Sequence, residues 1–267
     1  MKYACVITNL LELWAEPRYN SERKSQLLYF DIVAVGVRNG EFVRVTESDG
    51  YSGWVDERLL YPATGPRVKP ARGWRRAIVC DSSIRIISSD PRSEIPPHFL
   101  YYGTRLLART GSRGKCEVRL ASEQTAEVPS RGLRFEQEIP NIGKPRRILA
   151  ESKKFLGVPY LWGGTTPGGF DCSGLVRAVF GQFGIYLPRD TKDQIKVGEK
   201  VNREEVRAGD LLFFDRHVAL AMSRTAIIHA SRSAGGVRVQ SLKKGDTDYR
   251  ADLDRDFKLA RRLIDTD

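Results

Sequence analysis

From the amino terminus to about residue 135, apolar and polar positions alternate in short runs broken by turn residues. Asp31-Ile32-Val33-Ala34-Val35-Gly36-Val37, Glu41-Phe42-Val43-Arg44-Val45 and Ser52-Gly53-Trp54-Val55 are three such runs. Alternation with a period of two marks a half-buried strand. Asp49-Gly50, between the last two runs, predicts a hairpin. Residues 62–73, Pro-Ala-Thr-Gly-Pro-Arg-Val-Lys-Pro-Ala-Arg-Gly, have the composition of a linker. A second all-strand stretch follows over residues 77–135, similar in length to the first, as a degenerate internal repeat would be. Even spacing with turn punctuation predicts two small β-barrels.

After Pro140 the period changes. Residues 146–155 read as a helix, followed by the glycine-rich loop Gly163-Gly164-Thr165-Thr166-Pro167-Gly168-Gly169. Asp171 stands where an N-cap belongs. Leu175, Val176, Val179, Phe180 and Phe183 then recur at helical spacing until Gly184 stops the helix. Four strand-like runs come next, over residues 210–214, 217–222, 226–230 and 237–241. A helix followed by an antiparallel sheet makes an α+β domain. The expected modules are residues 1–62, 63–138 and 139–267.

Composition narrows the function classes. Apolar residues make up 41%, which suits ordinary cores, and no run approaches the roughly 18–20 apolar residues of a membrane span. Thr8, Asn9 and Glu12 interrupt any apolar leader core, so the expected compartment is the cytoplasm, or the cell wall or exterior if a leader has been removed. The four cysteines, Cys5, Cys80, Cys116 and Cys172, are isolated, and there are three histidines, His98, His217 and His229. That is a poor framework for disulfides or for a metal, and no cofactor is expected. Lys and Arg outnumber Asp and Glu by 14 to 8 in residues 63–138 and by 23 to 16 in 139–267, but number 7 against 9 in 1–62. The basic residues are scattered, with no aromatic interleaving. A solvated basic surface, or attraction to carboxylate-bearing substrates, is therefore a simpler reading than nucleic-acid binding.

The candidate chemistry is in the last module. Cys172 falls in the first turn of its helix, where unpaired N–H groups and the positive end of the dipole favour a thiolate. An unperturbed thiol is only a few per cent ionised at neutral pH, so a nucleophile there also needs a base. If Ser223-Arg224-Thr225 is a hairpin turn, paired residue numbers sum to 448. His229 then lies opposite Ala219, and His217 is its diagonal neighbour on the same face, roughly 7–8 Å away. A slip of one residue would turn the two histidines to opposite faces. A cysteine at a helix start is more often a small buried residue, and a strand histidine a packed or surface group. On pattern alone, the structural and the enzymatic readings both stand.

Pro159-Tyr160-Leu161-Trp162-Gly163-Gly164 and Phe170-Asp171-Cys172-Ser173-Gly174-Leu175-Val176 resemble the NlpC/P60 family of papain-like cysteine peptidases. So do Leu187-Pro188-Arg189-Asp190-Thr191, Ala208-Gly209-Asp210-Leu211-Leu212-Phe213-Phe214, His217-Val218-Ala219 and Ile228-His229-Ala230-Ser231, all in the family's order. The resemblance implies a nucleophile at Cys172, a general base and acid at His217, an orienting residue at His229 and an oxyanion donor at Tyr160. Asp49-Gly50-Tyr51-Ser52-Gly53-Trp54-Val55 resembles bacterial SH3 domains. Two of these before the catalytic domain is the layout of the YkfC-like γ-D-glutamyl-L-diamino acid endopeptidases.

By motif position, Glu16 and Tyr51 would meet the ammonium of a free L-Ala. Ser173, Asp190 and Thr191 would complete that pocket, and Asp171 and Trp162 would border the substrate. The implied partners are short murein peptides, L-Ala-γ-D-Glu-L-diamino acid; sequence leaves the oligomeric state open, with a monomer favoured. Thr191 replaces a more usual serine, residues 219–222 depart from the family's glycine and β-branched pattern, and the second barrel lacks the glycine-tryptophan signature. A hydrolase of intact wall, a non-enzymatic wall-binding SH3 protein, and acyl transfer by the same residues are the alternatives.

Overall fold

In the computed structural model the described residues are 2–65, 70–87, 97–138 and 145–264. The expected linker therefore lies partly outside them, at residues 66–69, as does the boundary stretch 139–144. The chain divides into two compact units, Met1–Ile139 and Pro140–Asp267.

In the first unit, residues 3–63 form a seven-stranded antiparallel sheet. Along Leu10–Trp14, Leu11 and Leu13 turn inward to join Val6, Leu27, Val33, Val43, Val45 and Val55 in one cluster. The expected hairpin is present: Phe42–Thr46 pairs with Ser52–Asp56 across a loop in which Gly50 adopts φ +88°. Gly53 sits where a Cβ would lie 2.7 Å from the Trp14 carbonyl oxygen, so the strand crossing there tolerates no side chain. The described residues between 75 and 135 form a five-stranded sheet and a separate two-stranded one around Val79, Leu100, Ala108, Val118 and Val128. Tyr29, in the turn that follows the strand Arg23–Leu28, packs into this second cluster, and its hydroxyl accepts the Ala121 N–H at 2.9 Å.

Among its described residues the second unit has four α-helices, α1 (Pro145–Lys153), α2 (Cys172–Gly181), α3 (Thr191–Gln194) and α4 (Ala251–Arg255). Its antiparallel sheet runs in the order Glu199–Val201, Leu259–Arg262, Leu211–Phe214, His217–Ala221, Ala226–Ser231, Gly236–Ser241. Leu175, Val176, Val179 and Phe180 are each at most 1% exposed, and burying each stabilises the unit by about 1.5–3 kcal/mol. They hold α2 against the two strands that carry His217 and His229. The hairpin register follows the sequence expectation, with Leu220 opposite Ile228 and Ala221 opposite Ile227. The sequence reading ended the sheet at residue 241 and gave no place to Glu199–Val201 or Leu259–Arg262. These two short strands, the second flanked by the first and by Leu211–Phe214, carry charged residues, and distant partners decide them: Arg262 pairs with Asp210 at 2.8 Å, and Arg261 donates to the Ile195 carbonyl at 2.6 Å.

Candidate active site

Cys172 is the first residue of α2, and Asp171 caps that helix. Asp171 Oδ1 accepts the Gly174 N–H at 2.7 Å, and Oδ2 accepts the Gly163 N–H at 3.0 Å. The same carboxylate receives Arg189 through Nη2 at 2.6 Å and Nη1 at 3.2 Å, and Arg189 also donates to Ser173 Oγ at 2.8 Å. Arg189 is 2% exposed, so this is a buried ion pair whose remaining valences are filled by hydrogen bonds. One carboxylate thus joins the glycine loop, the start of α2 and the segment leading to α3. Glycine is required at 174, because a Cβ there would lie 2.1 Å from the Gly164 carbonyl oxygen.

The histidines continue the construction across the sheet. His217 Nε2 lies 2.8 Å from His229 Nδ1, and His229 Nε2 lies 2.8 Å from Gln240 Oε1. Each step joins diagonal neighbours on one face, since His229 pairs with Arg238 and Gln240 sits two residues further along. Gln240 Oε1 also accepts Arg250 Nη1 at 2.7 Å, and Asp252 grips Arg250 through two bonds of 2.6 and 2.9 Å.

Donor and acceptor logic fixes the tautomers. Arginine can only donate, so the Gln240 atom it meets is the carbonyl oxygen, and His229 Nε2–H must donate to that same oxygen. A neutral His229 then has a bare Nδ1, which accepts from His217 Nε2–H. His217 is left with its lone pair on Nδ1, available to accept a proton.

Cys172 and His217 open on one cleft of about 490 Å³, also lined by Tyr160. The cysteine is 7% exposed, and its sulfur lies 3.8 Å from Thr191 Oγ1. Burial pushes the thiol above its ordinary 9.0, and the Asp171 charge adds to the rise. Hydrogen bonds from the Val218 N–H, the Thr191 hydroxyl and the Ser173 N–H oppose it. Burial is the largest of these influences, and it acts against the helix start, which favours a thiolate. Burial lowers His217 to about 3, with His229 and Arg250 adding to the fall, and lowers His229 to about 4 against the opposing Gln240 bond. Tyr160 is raised to about 12, first by burial and then by Cys172 and Asp171, so its phenol stays a donor.

Burial therefore favours a neutral thiol at Cys172 and a neutral imidazole at His217. Because the thiolate is what reacts, alkylation of Cys172 by iodoacetamide is expected to keep accelerating as pH rises through 9.0. A plateau reached below about pH 8, the mark of an ion-paired thiolate, would contradict this assignment.

The NlpC/P60 family profile matches residues 157–254, a span that contains the cysteine, both histidines and the chain of bonds behind them. Residues 157–254 are an NlpC/P60 domain. The chain is 28% identical over 246 residues to a Bacillus subtilis (strain 168) protein named gamma-D-glutamyl-L-lysine dipeptidyl-peptidase, covering 86% of this chain and 79% of the relative. A Bacillus cereus (strain ATCC 10987 / NRS 248) protein of the same name is 27% identical over 234 residues, covering 81% and 69%. The crystal structure of an NlpC/P60 family protein from Bacillus cereus ATCC 10987 superposes with a TM-score of 0.85 at 22% identity, over 98% of this chain and all of that one. At that identity the likeness shows a shared fold.

The remaining expected site residues divide by unit. In the NlpC/P60 domain, Ser173 is buried and donates to Asp171 at 3.1 Å, and Asp190 occupies the N-cap position of α3 with Lys192 3.7 Å away. Trp162 is 59% exposed. In the first unit, Glu16 forms an exposed ion pair with Arg18 at 2.8 Å, and Tyr51 lies under Lys24, whose Nζ is 4.7 Å from the ring centroid. Sequence reasoning missed Arg189, Gln240 and Arg250. Extending the hairpin register to residues 237–241 would have found Gln240; nothing local marked the other two. Among the described residues, no group of three or more His, Cys, Asp or Glu is placed to hold a metal ion.

Proposed function

We propose that this chain is a cysteine peptidase that hydrolyses the γ-D-Glu–L-diamino acid bond of short murein peptides carrying a free L-Ala. One observation carries the reading: Cys172 and a His217 whose lone pair sits on Nδ1 share a cleft. The names of the Bacillus relatives support the substrate class.

In this mechanism His217 Nδ1 takes the Cys172 proton as the sulfur attacks the γ-carbonyl carbon. The Tyr160 phenol donates to the oxyanion, with the first-turn N–H groups of α2 nearby. Collapse expels the diamino acid amine, which takes the proton from His217. Water then gives a proton to His217 and attacks the thioester, releasing L-Ala-D-Glu and the thiol. Glu16, Tyr51, Asp190 and Thr191 are the residues the family resemblance assigns to the L-Ala end. The sheets of residues 3–63 and 75–135 are read as SH3-like modules, with boundaries near residues 62 and 138.

Purified protein and a Cys172→Ala variant, incubated with L-Ala-γ-D-Glu-L-diaminopimelate and its N-acetylated twin, test this by mass spectrometry of the products. Release of L-Ala-D-Glu from the free peptide alone, lost in the variant, is expected. Equal cleavage of both peptides would replace the free-amine requirement with action on intact wall. No cleavage of either would end the hydrolytic reading.

A further inference from the structure

The cleft that holds Cys172 and His217 is also lined by Arg216, Arg232 and Arg250, and neither Asp nor Glu is among its lining residues. Arg250 is already committed to Asp252 and Gln240. The other two guanidiniums are not neutralised in this way. Arg216 is 94% exposed, and its contact with Asp215 is long, at 3.6 Å, while the Asp215 carboxylate is held by Lys258 at 2.9 Å. Arg232 is exposed and has no ion pair or side-chain hydrogen bond among the described residues. Its charge is close enough to Tyr160 to oppose the rise in the phenol's pKa. Two available cations therefore border the site of attack.

Arg216 shows a second feature. It joins Phe214 to His217 in a two-residue turn and holds the left-handed conformation, φ 52°. Glycine occupies that region without strain, whereas an arginine there stores backbone energy at the residue next to the base. The same turn with glycine would be more stable and would carry no charge.

We propose that Arg216 and Arg232 form a carboxylate subsite that selects diaminopimelate over lysine as the leaving residue. This rests on the hydrolysis proposed above and names its leaving group. The two substrates differ at one place: the diaminopimelate side chain ends in a carbon bearing both a carboxylate and an ammonium, and the lysine side chain ends in an ammonium alone. A guanidinium can grip the carboxylate through two parallel N–H bonds. It repels the lone ammonium. Every other carboxylate of the tripeptide, including the α-carboxylate left free by the γ-linkage, is common to both and cannot discriminate.

The wild-type enzyme should therefore cleave L-Ala-γ-D-Glu-L-diaminopimelate with a kcat/KM roughly tenfold or more above that for the lysine peptide. That ratio should shrink as salt is raised, since both arginines face solvent. Arg216→Gly and Arg232→Ala should each reduce the ratio, and the double variant should bring it close to one. Arg216→Gly should also unfold at an equal or higher denaturant concentration, because glycine relieves the φ of 52°. Affinities of the two peptides for Cys172→Ala protein, with and without the arginine substitutions, give the same comparison without turnover.

Parity between the peptides in the wild type would overturn the subsite. So would an equal loss for both in the double variant, which would assign the arginines to a shared carboxylate. Discriminating binding by Cys172→Ala, together with no hydrolysis by the wild type, would support the subsite while ending the hydrolytic reading.

Discussion

Arg189→Met is expected to destabilise the NlpC/P60 domain by about 3–5 kcal/mol. The substitution keeps the apolar bulk but strips Asp171 of its counter-charge in a place where neither residue reaches solvent freely. A buried pair is costly to assemble, and removing one member is worse, because the remaining carboxylate keeps its desolvation penalty without the attraction. The loss should appear as a lower denaturant midpoint with an unchanged slope. Arg189→Met combined with Asp171→Asn should recover part of it, since the asparagine removes the orphaned charge and can still accept from the Gly174 N–H. A single variant as stable as the wild type would mean that the pair is not buried as described. Activity should fall with stability, because the same carboxylate holds the α2 N-terminus to the loop that begins at Gly163.

The second large effect lies along the histidine chain and should fade with distance from the substrate. His217→Ala removes the proposed proton carrier and is expected to lower kcat/KM by about 10³-fold or more. His229→Ala leaves a base but frees its tautomer and orientation, an effect of about 10²–10⁴-fold where the orienter of a triad has been altered. Gln240→Leu should cost about tenfold, through a buried imidazole N–H left without an acceptor.

Gln240→Glu separates positioning from mere packing. A carboxylate beside His229 raises its pKa from about 4 back toward its ordinary 6.5. Once protonated, His229 Nδ1 becomes a donor, so His217 must turn its lone pair to Nε2 and lose it from Nδ1. The acid limb of the kcat/KM profile should therefore move to higher pH, and an unmoved limb would contradict the tautomer assignment.

Features that depend on near neighbours were legible in the sequence. The Asp171 cap, the apolar stripe of α2 and the register that faces His217 toward His229 follow from spacing over a few residues. Gln240 was within reach by the same arithmetic carried one strand further. Arg189 was not, since an arginine in a polar segment is normally solvent-exposed and only the fold reveals it at 2% exposure beneath Asp171. Arg250 lies ten residues beyond Gln240, with no periodic pattern joining the two. The thiol answers to both kinds of feature: the helix start is local and favours the thiolate, whereas burial is tertiary and raises the pKa.

Hydrolysis through Cys172 requires that its sulfur become acylated by the γ-glutamyl group. Wild-type protein mixed with L-Ala-γ-D-Glu-L-diaminopimelate, quenched in acid within a turnover and digested for mass spectrometry, is predicted to carry L-Ala-D-Glu as a thioester on the Cys172 peptide. Cys172→Ala is predicted to carry none and to release no L-Ala-D-Glu. Release by Cys172→Ala at the wild-type rate would contradict the account.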